Sequence, residues 1–304
     1  MGNMEQREDV EQMRFALFGN IYQAKKSAAV QRVITLLSRR GAELYIDAAF
    51  YSYLKERMLP GFTPAGLIQG NSFEADIALS MGGDGTFLAT AARVGAKDIP
   101  ILGINTGRLG FLADVSPADI DRCISDIYNH SYKIDERSVL EVRPHGASLA
   151  GHPYALNEVA VLKRDNSSMI SISVDCGGEF LGAYQADGLI INTPTGSTGY
   201  ALSVGGPIIH SLSHTFCIAP VASHSLNARP LVIPDTMTLT LRVTARNHSF
   251  LVAIDGRSET CPDSCSLNVR RAPYNIKVLQ RNDHSFYSTL REKLLWGADP
   301  RETS

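Results

Sequence analysis

The stretch ADIALSMGGDGTFLATAAR, residues 75–93, places a strand, a glycine-rich turn and a helix in direct succession. Its apolar run at 75–80 is typical of a buried strand, and residues 87–93 have the composition of a helix opening. The glycines of the turn Gly82-Gly83-Asp84-Gly85-Thr86 permit positive φ and let a ligand approach the main chain closely. The helix N-terminus behind them suits a phosphate. The stretch therefore predicts an α/β domain with its ligand at the carboxyl ends of the strands.

Asp84 is an unusual residue for such a turn, because its charge repels the phosphates that the turn attracts. A carboxylate there has two chemical uses, which are to hold a cation or to remove a proton from an attacking hydroxyl. Both uses belong to phosphoryl transfer. The alternative is a tight connection in which the aspartate only caps the helix. The turn alone does not decide between these interpretations.

Strands and helices continue to alternate on both sides of this turn. Strands are predicted at 14–20, 43–46 and 99–105, and helices at 25–40 and 117–129. Alternation of this kind favours a parallel sheet covered by helices. We assign residues 1–132 to this α/β domain.

The sequence changes character from Lys133 onward. It becomes a series of short, alternating, turn-bounded apolar runs, at 139–143, 158–162, 170–174, 189–191, 238–243 and 250–254. This pattern predicts a β-rich, β-sandwich-like domain over residues 133–275. Residues 276–304, with a helical pattern at 285–296, are expected to pack back on the first domain.

Bulk properties exclude several classes of protein. The formal net charge of −2 gives no basic footprint for nucleic acid or an anionic membrane. No apolar run approaches the ~20 residues that span a bilayer, and the N-terminal residues lack the apolar core of a signal peptide. The five cysteines are scattered, which favours reduced thiols in a cytoplasmic protein. Cys261 and Cys265 have no second pair to complete a zinc site.

A second polar stretch runs from Asp187 to Tyr200, DGLIINTPTGSTGY. Its hydroxyls and glycines follow an apolar strand and suit a polar ligand, and Tyr200 could stack on a base. The alternative is a solvated loop made of turn formers. Asn157-Glu158, at the start of another strand, could grip ribose hydroxyls. The P-loop, Rossmann and protein-kinase motifs are absent from the sequence.

Taken together, the turn Gly82–Thr86, the pair Asn157-Glu158 and the stretch from Asp187 to Tyr200 resemble the NAD kinases. Residues 203–207, 224–234 and 255–256 fit the same pattern, so that the resemblance covers roughly residues 14–290. It implies transfer of the terminal phosphate of ATP, with Mg²⁺, to the 2′-hydroxyl of the adenosine ribose of NAD. It also implies an α/β domain joined to a β-sandwich-like domain, assembled as a homodimer or homotetramer.

The resemblance assigns roles to individual residues. Asp84 is implied as the proton acceptor, close to Mg²⁺, and the backbone of Gly82, Gly83, Gly85 and Thr86 as the cradle for the ATP phosphates. Asn157 and Glu158 are implied at the adenosine of NAD, and Asp187 at its nicotinamide ribose. The remaining dinucleotide-binding residues implied are Thr195, Thr198, Gly199, Tyr200, Ser203, Ala222 and Arg257.

Three positions depart from the family pattern. Gly199 stands where alanine is usual, Gln185 replaces a common basic residue, and Arg257 stands where glutamine or histidine is frequent. Gly199 should loosen its loop slightly, and the changes at Gln185 and Arg257 leave the choice between NAD and NADH open. Two alternative functions stay open. One is a lipid kinase of the diacylglycerol type, a family that shares the Gly-Gly-Asp-Gly turn. The other is a sensor that binds NAD(P) without catalysing a reaction.

Overall fold

The computed structural model describes residues 12–20, 28–57, 61–107, 110–165 and 168–297. The N-terminal segment, residues 25–27 of the predicted first helix and residues 108–109 of a predicted turn lie outside these ranges. The chain forms two compact units. The first unit combines the residues up to Asp135 with those from Lys277 onward, and the second unit is Glu136–Ile276.

Among the described residues, the first unit begins with six strands and four helices. The strands are β1 (Arg14–Gly19), β2 (Glu43–Asp47), β3 (Gly66–Ile68), β4 (Ile77–Gly82), β5 (Ile101–Asn105) and β6 (Tyr132–Arg137). The helices are α1 (Ala28–Arg39), α2 (Ala48–Arg57), α3 (Asp84–Val94) and α4 (Ile120–Tyr128). Helix α1 forms because its apolar residues recur at helical spacing, and Val30, Val33 and Leu37 are buried on that face.

The second unit contains twelve strands and one short helix. Its strands are β7 (Leu140–His145), β8 (Tyr154–Ala155), β9 (Glu158–Lys163), β10 (Ile170–Cys176), β11 (Glu179–Ala186), β12 (Gly188–Asn192), β13 (Thr215–Val221), β14 (Leu231–Pro234), β15 (Leu239–Thr244), β16 (Ser249–Ile254), β17 (Arg257–Pro262) and β18 (Ser266–Arg271). Helix α5 (Tyr200–Ser203) follows a 3₁₀ turn, Thr195–Thr198.

These strands form two antiparallel sheets of six, in the orders β11-β10-β15-β18-β7-β8 and β14-β13-β12-β9-β16-β17. Inward residues of both sheets form one buried core, to which Ile172 and Leu241 contribute from one sheet and Val161 and Phe250 from the other. The alternating pattern of the sequence follows from this arrangement, because each strand faces the core on one side only.

The chain then returns to the first unit with β19 (Ile276–Arg281) and α6 (Phe286–Leu294). The first sheet has seven strands in the order β3-β2-β1-β4-β5-β19-β6. Its pairings from β3 to β19 are parallel. All six residues of β4 are buried, as expected for a central parallel strand covered on both faces.

The predicted fold class is confirmed: an α/β domain with a parallel sheet, a β-rich domain with antiparallel sheets, and a C-terminal helix. The elements that were not predicted include strand β19 and helix α2. None of the helices in the described part of the chain is long and apolar enough to span a membrane.

Candidate active site

The glycine-rich turn lies where β4 ends and α3 begins. Gly83 is the N-cap, with an extended backbone (φ −104°, ψ −169°), and Asp84 is the first helical residue. The Gly83 carbonyl accepts the N–H groups of Thr86 and Phe87 at 3.0 and 3.1 Å. The first turn of a helix leaves further N–H groups without intrahelical partners, and these are the groups that bind anions.

Gly82, Gly83 and Gly85 do not use the positive φ that glycine permits. Close approach explains the first of these glycines instead. A Cβ on Gly82 would lie 2.2 Å from Oγ1 of Thr86, so no larger residue fits there. A Cβ on Gly85 would meet nothing within 4 Å. The main chain at Gly85 is therefore open to a ligand.

The carboxylate of Asp84 holds the loop that follows β5. Its oxygens accept the N–H groups of Phe111 at 2.7 Å, Leu112 at 2.9 Å and Ala113 at 3.1 Å. A Cβ on Gly110 would lie 1.9 Å from Oδ1 of Asp84, so glycine is required there. A carboxylate has about four lone-pair sites, and three are occupied by these amides. Asp84 thus organises its loop in addition to any chemical role.

Two predicted motifs of the second unit lie in contact. Asn157 and Glu158 stand where β9 begins, beside the end of β12, since Glu158 pairs with Asn192. A Cβ on Gly196 would lie 2.2 Å from the Asn157 carbonyl oxygen. A Cβ on Gly199 would lie 3.2 Å from Oε2 of Glu158 and 3.4 Å from Nδ2 of Asn157. The glycines of the Thr195–Tyr200 turn therefore let it pack directly on the pair.

Asp255, which sequence reasoning did not single out as a site residue, orders this cluster. Its carboxylate accepts the N–H groups of Leu156 at 2.7 Å, Asn157 at 2.9 Å and Glu158 at 3.0 Å. Its own backbone is left-handed, at φ +46°. The available signal was the Asp-Gly dipeptide after the apolar run 250–254, which marks a turn but not its partners.

Several polar atoms in the cluster are enclosed and have no hydrogen-bond partner within the described part of the chain. They are Oδ1 of Asn157, Oε2 of Glu158, Oδ1 of Asn192 and Oγ1 of Thr195. Buried polar atoms in folded proteins are normally satisfied, and leaving one unmet is costly. The cluster therefore suits a ligand rich in hydroxyl and N–H groups.

Electrostatics mark Glu158 as the unusual acid of the cluster. Burial and the nearby charge of Asp255 raise the pKa of Glu158 to about 7, against a hydrogen bond from the Tyr200 N–H that lowers it. Burial also raises the pKa of Asp255, although its three amide hydrogen bonds oppose the shift. Near neutral pH the Glu158 carboxyl can therefore accept or donate a hydrogen bond.

Other predicted residues have local partners. The hydroxyl of Thr198 donates to the Thr195 carbonyl at 3.4 Å, and that of Ser203 to the Tyr200 carbonyl at 2.7 Å. Tyr200 is 39% exposed. The Arg257 guanidinium donates to the His152 carbonyl at 3.3 Å, so it supports the neighbouring loop.

Asp187 and Ala222 lie at the opposite end of β12 from the cluster. Asp187 precedes Gly188 and forms an ion pair with Lys163 at 2.7 Å. Ala222 follows Val221, the strand partner of Gly188, and has φ +45°. A strand rises about 3.3 Å per residue, which separates the two ends of β12 by roughly 13 Å. Within one chain, these two residues are not brought to Asn157 and Glu158.

No group of three or more His, Cys, Asp or Glu side chains among the described residues is placed to hold a metal ion. The cysteines are free thiols.

Comparison with known proteins gives a consistent result. Residues 15–132 match the ATP-NAD kinase N-terminal domain, and residues 156–280 match the ATP-NAD kinase C-terminal domain. The chain is 55% identical over 289 residues to the NAD kinase of Bacteroides fragilis, covering 95% of this chain and 100% of that protein. It is 42% identical over 290 residues to the NAD kinase of Porphyromonas gingivalis, covering 95% and 99%.

Two solved structures share the fold. A yeast NADH kinase in complex with NADH superposes with a TM-score of 0.84 at 21% identity, over 94% of this chain and 89% of that one. An NAD kinase from Archaeoglobus fulgidus in complex with ATP gives a TM-score of 0.71 at 23% identity, over 94% and 98%.

Proposed function

Because the chain belongs to the NAD kinase family, we propose that it transfers the terminal phosphate of ATP to the 2′-hydroxyl of the adenosine ribose of NAD, with Asp84 as general base. It is a phosphotransferase with an alcohol group as acceptor, and its product is NADP. Neither a lipid kinase nor a non-catalytic sensor is favoured by these relatives.

The observation that supports the acceptor site is the set of enclosed oxygens around Asn157 and Glu158. We assign them to the adenosine part of NAD, whose ribose hydroxyls and exocyclic amine are hydrogen-bond donors. Thr195 completes this surface, Gly199 lets the turn pack against Asn157 and Glu158, and Tyr200 offers a ring for stacking.

The donor site is assigned to the turn Gly82–Thr86. Phosphates would approach the main chain at Gly85, where no side chain intervenes. Mg²⁺ is part of this proposal as the MgATP substrate, because Mg²⁺ in such sites is usually held by phosphates, water and one or two carboxylates. Asp84 has one acceptor position left after its three amide bonds, which fits one contact to a cation or to a hydroxyl proton.

The chemistry asked of the protein is positioning and charge placement. A ribose hydroxyl is a weak nucleophile, and a placed carboxylate that takes its proton typically contributes about 10²–10⁴-fold. The amides that hold Asp84 fix its orientation, so that little reorganisation is needed at the moment of transfer.

The remaining parts of the proposal concern assembly and location. We place Asp187 and Ala222 at the nicotinamide ribose, supplied by a second subunit of a homodimer or homotetramer, because one chain keeps them away from Glu158. The unpaired thiols support a cytoplasmic location.

A coupled assay tests the activity. The purified protein is incubated with NAD or NADH and with ATP, another nucleoside triphosphate or polyphosphate, and an NADP-specific dehydrogenase reports the product. NADP formed from ATP supports the proposal, and unmodified NAD with every donor contradicts it. Because the dehydrogenase requires a 2′-phosphate, a product detected only by mass would show a different acceptor hydroxyl.

A further inference from the structure

Helix α6 places a lysine beside the loop that Asp84 holds. Lys293 Nζ lies 5.3 Å from the centroid of the Phe111 ring, over its face. The N–H of the same Phe111 donates to Asp84. Both Asp84 and Asp114 are near enough to raise the pKa of Lys293 by their charge, while burial lowers it more strongly. The amine therefore lies within the electrostatic reach of the glycine-rich turn.

The ammonium nitrogen of Lys293 is enclosed and lacks a hydrogen-bond partner in the part of the chain that the structure describes. Neither of the two nearby acids accepts a hydrogen bond from Lys293. Asp84 accepts three amides, and Asp114 lies 2.8 Å from Nδ1 of His284. An ammonium has three N–H donors, and enclosing it without acceptors is costly. Among the described residues, the ammonium group of Lys293 therefore has no anionic acceptor.

Lys293 also lines a polar cleft of about 370 Å³ formed by first-unit residues. The other basic groups of the cleft are paired: Arg281 with Asp119 and Asp283, and His284 with Asp114. Lys293 differs from them, because no carboxylate among the described residues forms an ion pair with it.

The turn itself has no positively charged side chain. Residues 82–87 contain a carboxylate and no basic side chain. In phosphate-binding loops of other architectures, a lysine within the motif supplies a point charge to the terminal phosphates. Here the corresponding charge would come from the far end of the sequence.

We infer that Lys293 binds the phosphates of the nucleoside triphosphate donor and offsets the charge of Asp84 at the Gly82–Thr86 turn. This inference rests on the proposed function. The bound phosphate oxygens satisfy the N–H donors of Lys293, and the amine moves from above Phe111 to reach them.

The test compares Lys293→Met with Arg291→Met, an exposed cation on the same helix. Methionine keeps an unbranched apolar stem and removes the charge. We expect Lys293→Met to bind a non-hydrolysable ATP analogue about 10- to 100-fold more weakly in calorimetry, since a hydrogen bond to a charged group contributes this much. Its KM for ATP should rise while its KM for NAD stays near that of the wild type. Lys293→Arg should recover part of the ATP affinity, and Arg291→Met should leave it unchanged.

Two results overturn the inference. One is an unchanged affinity for the ATP analogue in Lys293→Met. The other is an equal loss for ATP and NAD together with a lowered unfolding temperature, which would make Lys293 a structural contact to Phe111. If the methionine variant does not fold, Lys293→Gln answers the same question with the same readouts. A wild-type protein that forms no NADP would contradict the proposed function itself. The ATP-binding measurements on the variants do not depend on that activity, so the two failures can be told apart.

Discussion

Two aspartates, one in each unit, accept hydrogen bonds from the backbone in the same way. Asp84 accepts the N–H groups of Phe111, Leu112 and Ala113, and Asp255 accepts those of Leu156, Asn157 and Glu158. In both cases three consecutive amides wrap one carboxylate, so the aspartate fixes the path of a distant loop. From the sequence, Asp84 could be identified as a candidate base because of its turn. Its loop partners, 27 to 29 residues away, leave no local pattern.

We predict that Asp84→Asn lowers both stability and turnover. Asparagine offers one oxygen and an NH₂ group where three amides need acceptors, and one unsatisfied N–H costs about 1–3 kcal/mol. Loss of the base should lower turnover by a further factor of about 10²–10⁴. Urea unfolding and NADP formation measure the two effects.

Gly110→Ala is the matched control for Asp84→Asn. Its Cβ would displace the Asp84 carboxylate from its loop while the carboxylate itself is kept. We expect a comparable loss of stability and a smaller loss of turnover. Near-wild-type turnover in folded Asp84→Asn would show that Asp84 is not the base.

We predict that Glu158 makes stability fall as the pH rises. Its pKa is about 7 in the folded protein, above the ordinary value of 4.5. The folded state therefore binds more protons than the unfolded state between these values. The free energy of unfolding should decrease from about pH 5 to pH 8, by at most about 1.4 kcal/mol per unit, and stay level above that range. Urea unfolding of the wild type and Glu158→Gln at pH 5, 6, 7 and 8 measures this, and the variant should show a flatter profile.

Glu259 provides a control of opposite sign. Hydrogen bonds from the N–H groups of Ala150 and Gly151 lower its pKa. Its contribution to stability is present above its ordinary pKa and is lost only as the pH falls through the lowered value. Glu259→Gln should therefore keep the wild-type profile between pH 5 and pH 8. A profile for Glu158→Gln that matches the wild type would show that Glu158 does not titrate in this window.

At the scale of elements, the strand–turn–helix unit was predictable because it is local. The apolar run before Gly82 and the helical pattern after Thr86 lie within one stretch of sequence, and both were confirmed. The use of the glycines was not predictable, since a glycine required for positive φ and one required for close packing look alike in sequence. Gly82 is needed because Thr86 packs over it, a contact between residues four positions apart.

Gly85→Ala should separate folding from donor binding. Gly85 lies in the first turn of α3 at negative φ with open space around it, so alanine should stabilise the fold by about 0.4–1 kcal/mol. The same methyl group would stand where phosphates approach the main chain, and we expect ATP to bind about tenfold more weakly, equivalent to about 1.4 kcal/mol. Thermal unfolding and calorimetry with an ATP analogue give the two values. The control is Gly182→Ala in β11, which is also in open space and should leave ATP binding unchanged. An unaltered ATP affinity in Gly85→Ala would show that ATP does not bind at this turn.

At the scale of the molecule, the second unit is an insertion in the first. The first sheet needs β19, which lies between β5 and β6 and contributes Leu279 to the core. The change from α/β to β-rich sequence was visible near Lys133, because periodicity changes there. The return of six residues, IKVLQR, to a sheet begun more than 250 residues earlier depends on long-range pairing, and no local signal marks it.

We predict that a chain ending at Asn275 keeps only the second unit. Both of its sheets and its core are built from residues of the second unit alone. The first unit would lack β19 and α6, and so would lose a strand from within its sheet. Limited proteolysis with mass spectrometry should leave a resistant fragment near residues 136–275 and degrade residues 12–135. A chain ending at Gly297 keeps every described element and should resist as the full chain does, whereas a resistant first unit in the shorter chain would contradict the prediction.

The same connectivity sets an order of events during synthesis. On the ribosome, the second unit is complete once β18 has emerged, because all its partners precede that point. The first unit, although it begins earlier, must wait for β19 and α6, and until then its sheet ends at β5 with the pairing edge open. A nascent chain in this state exposes an unpaired strand edge beside apolar residues, which is the kind of surface that chaperones cover. We therefore expect the first unit to be the last to reach its folded form, although most of it is translated before the second unit.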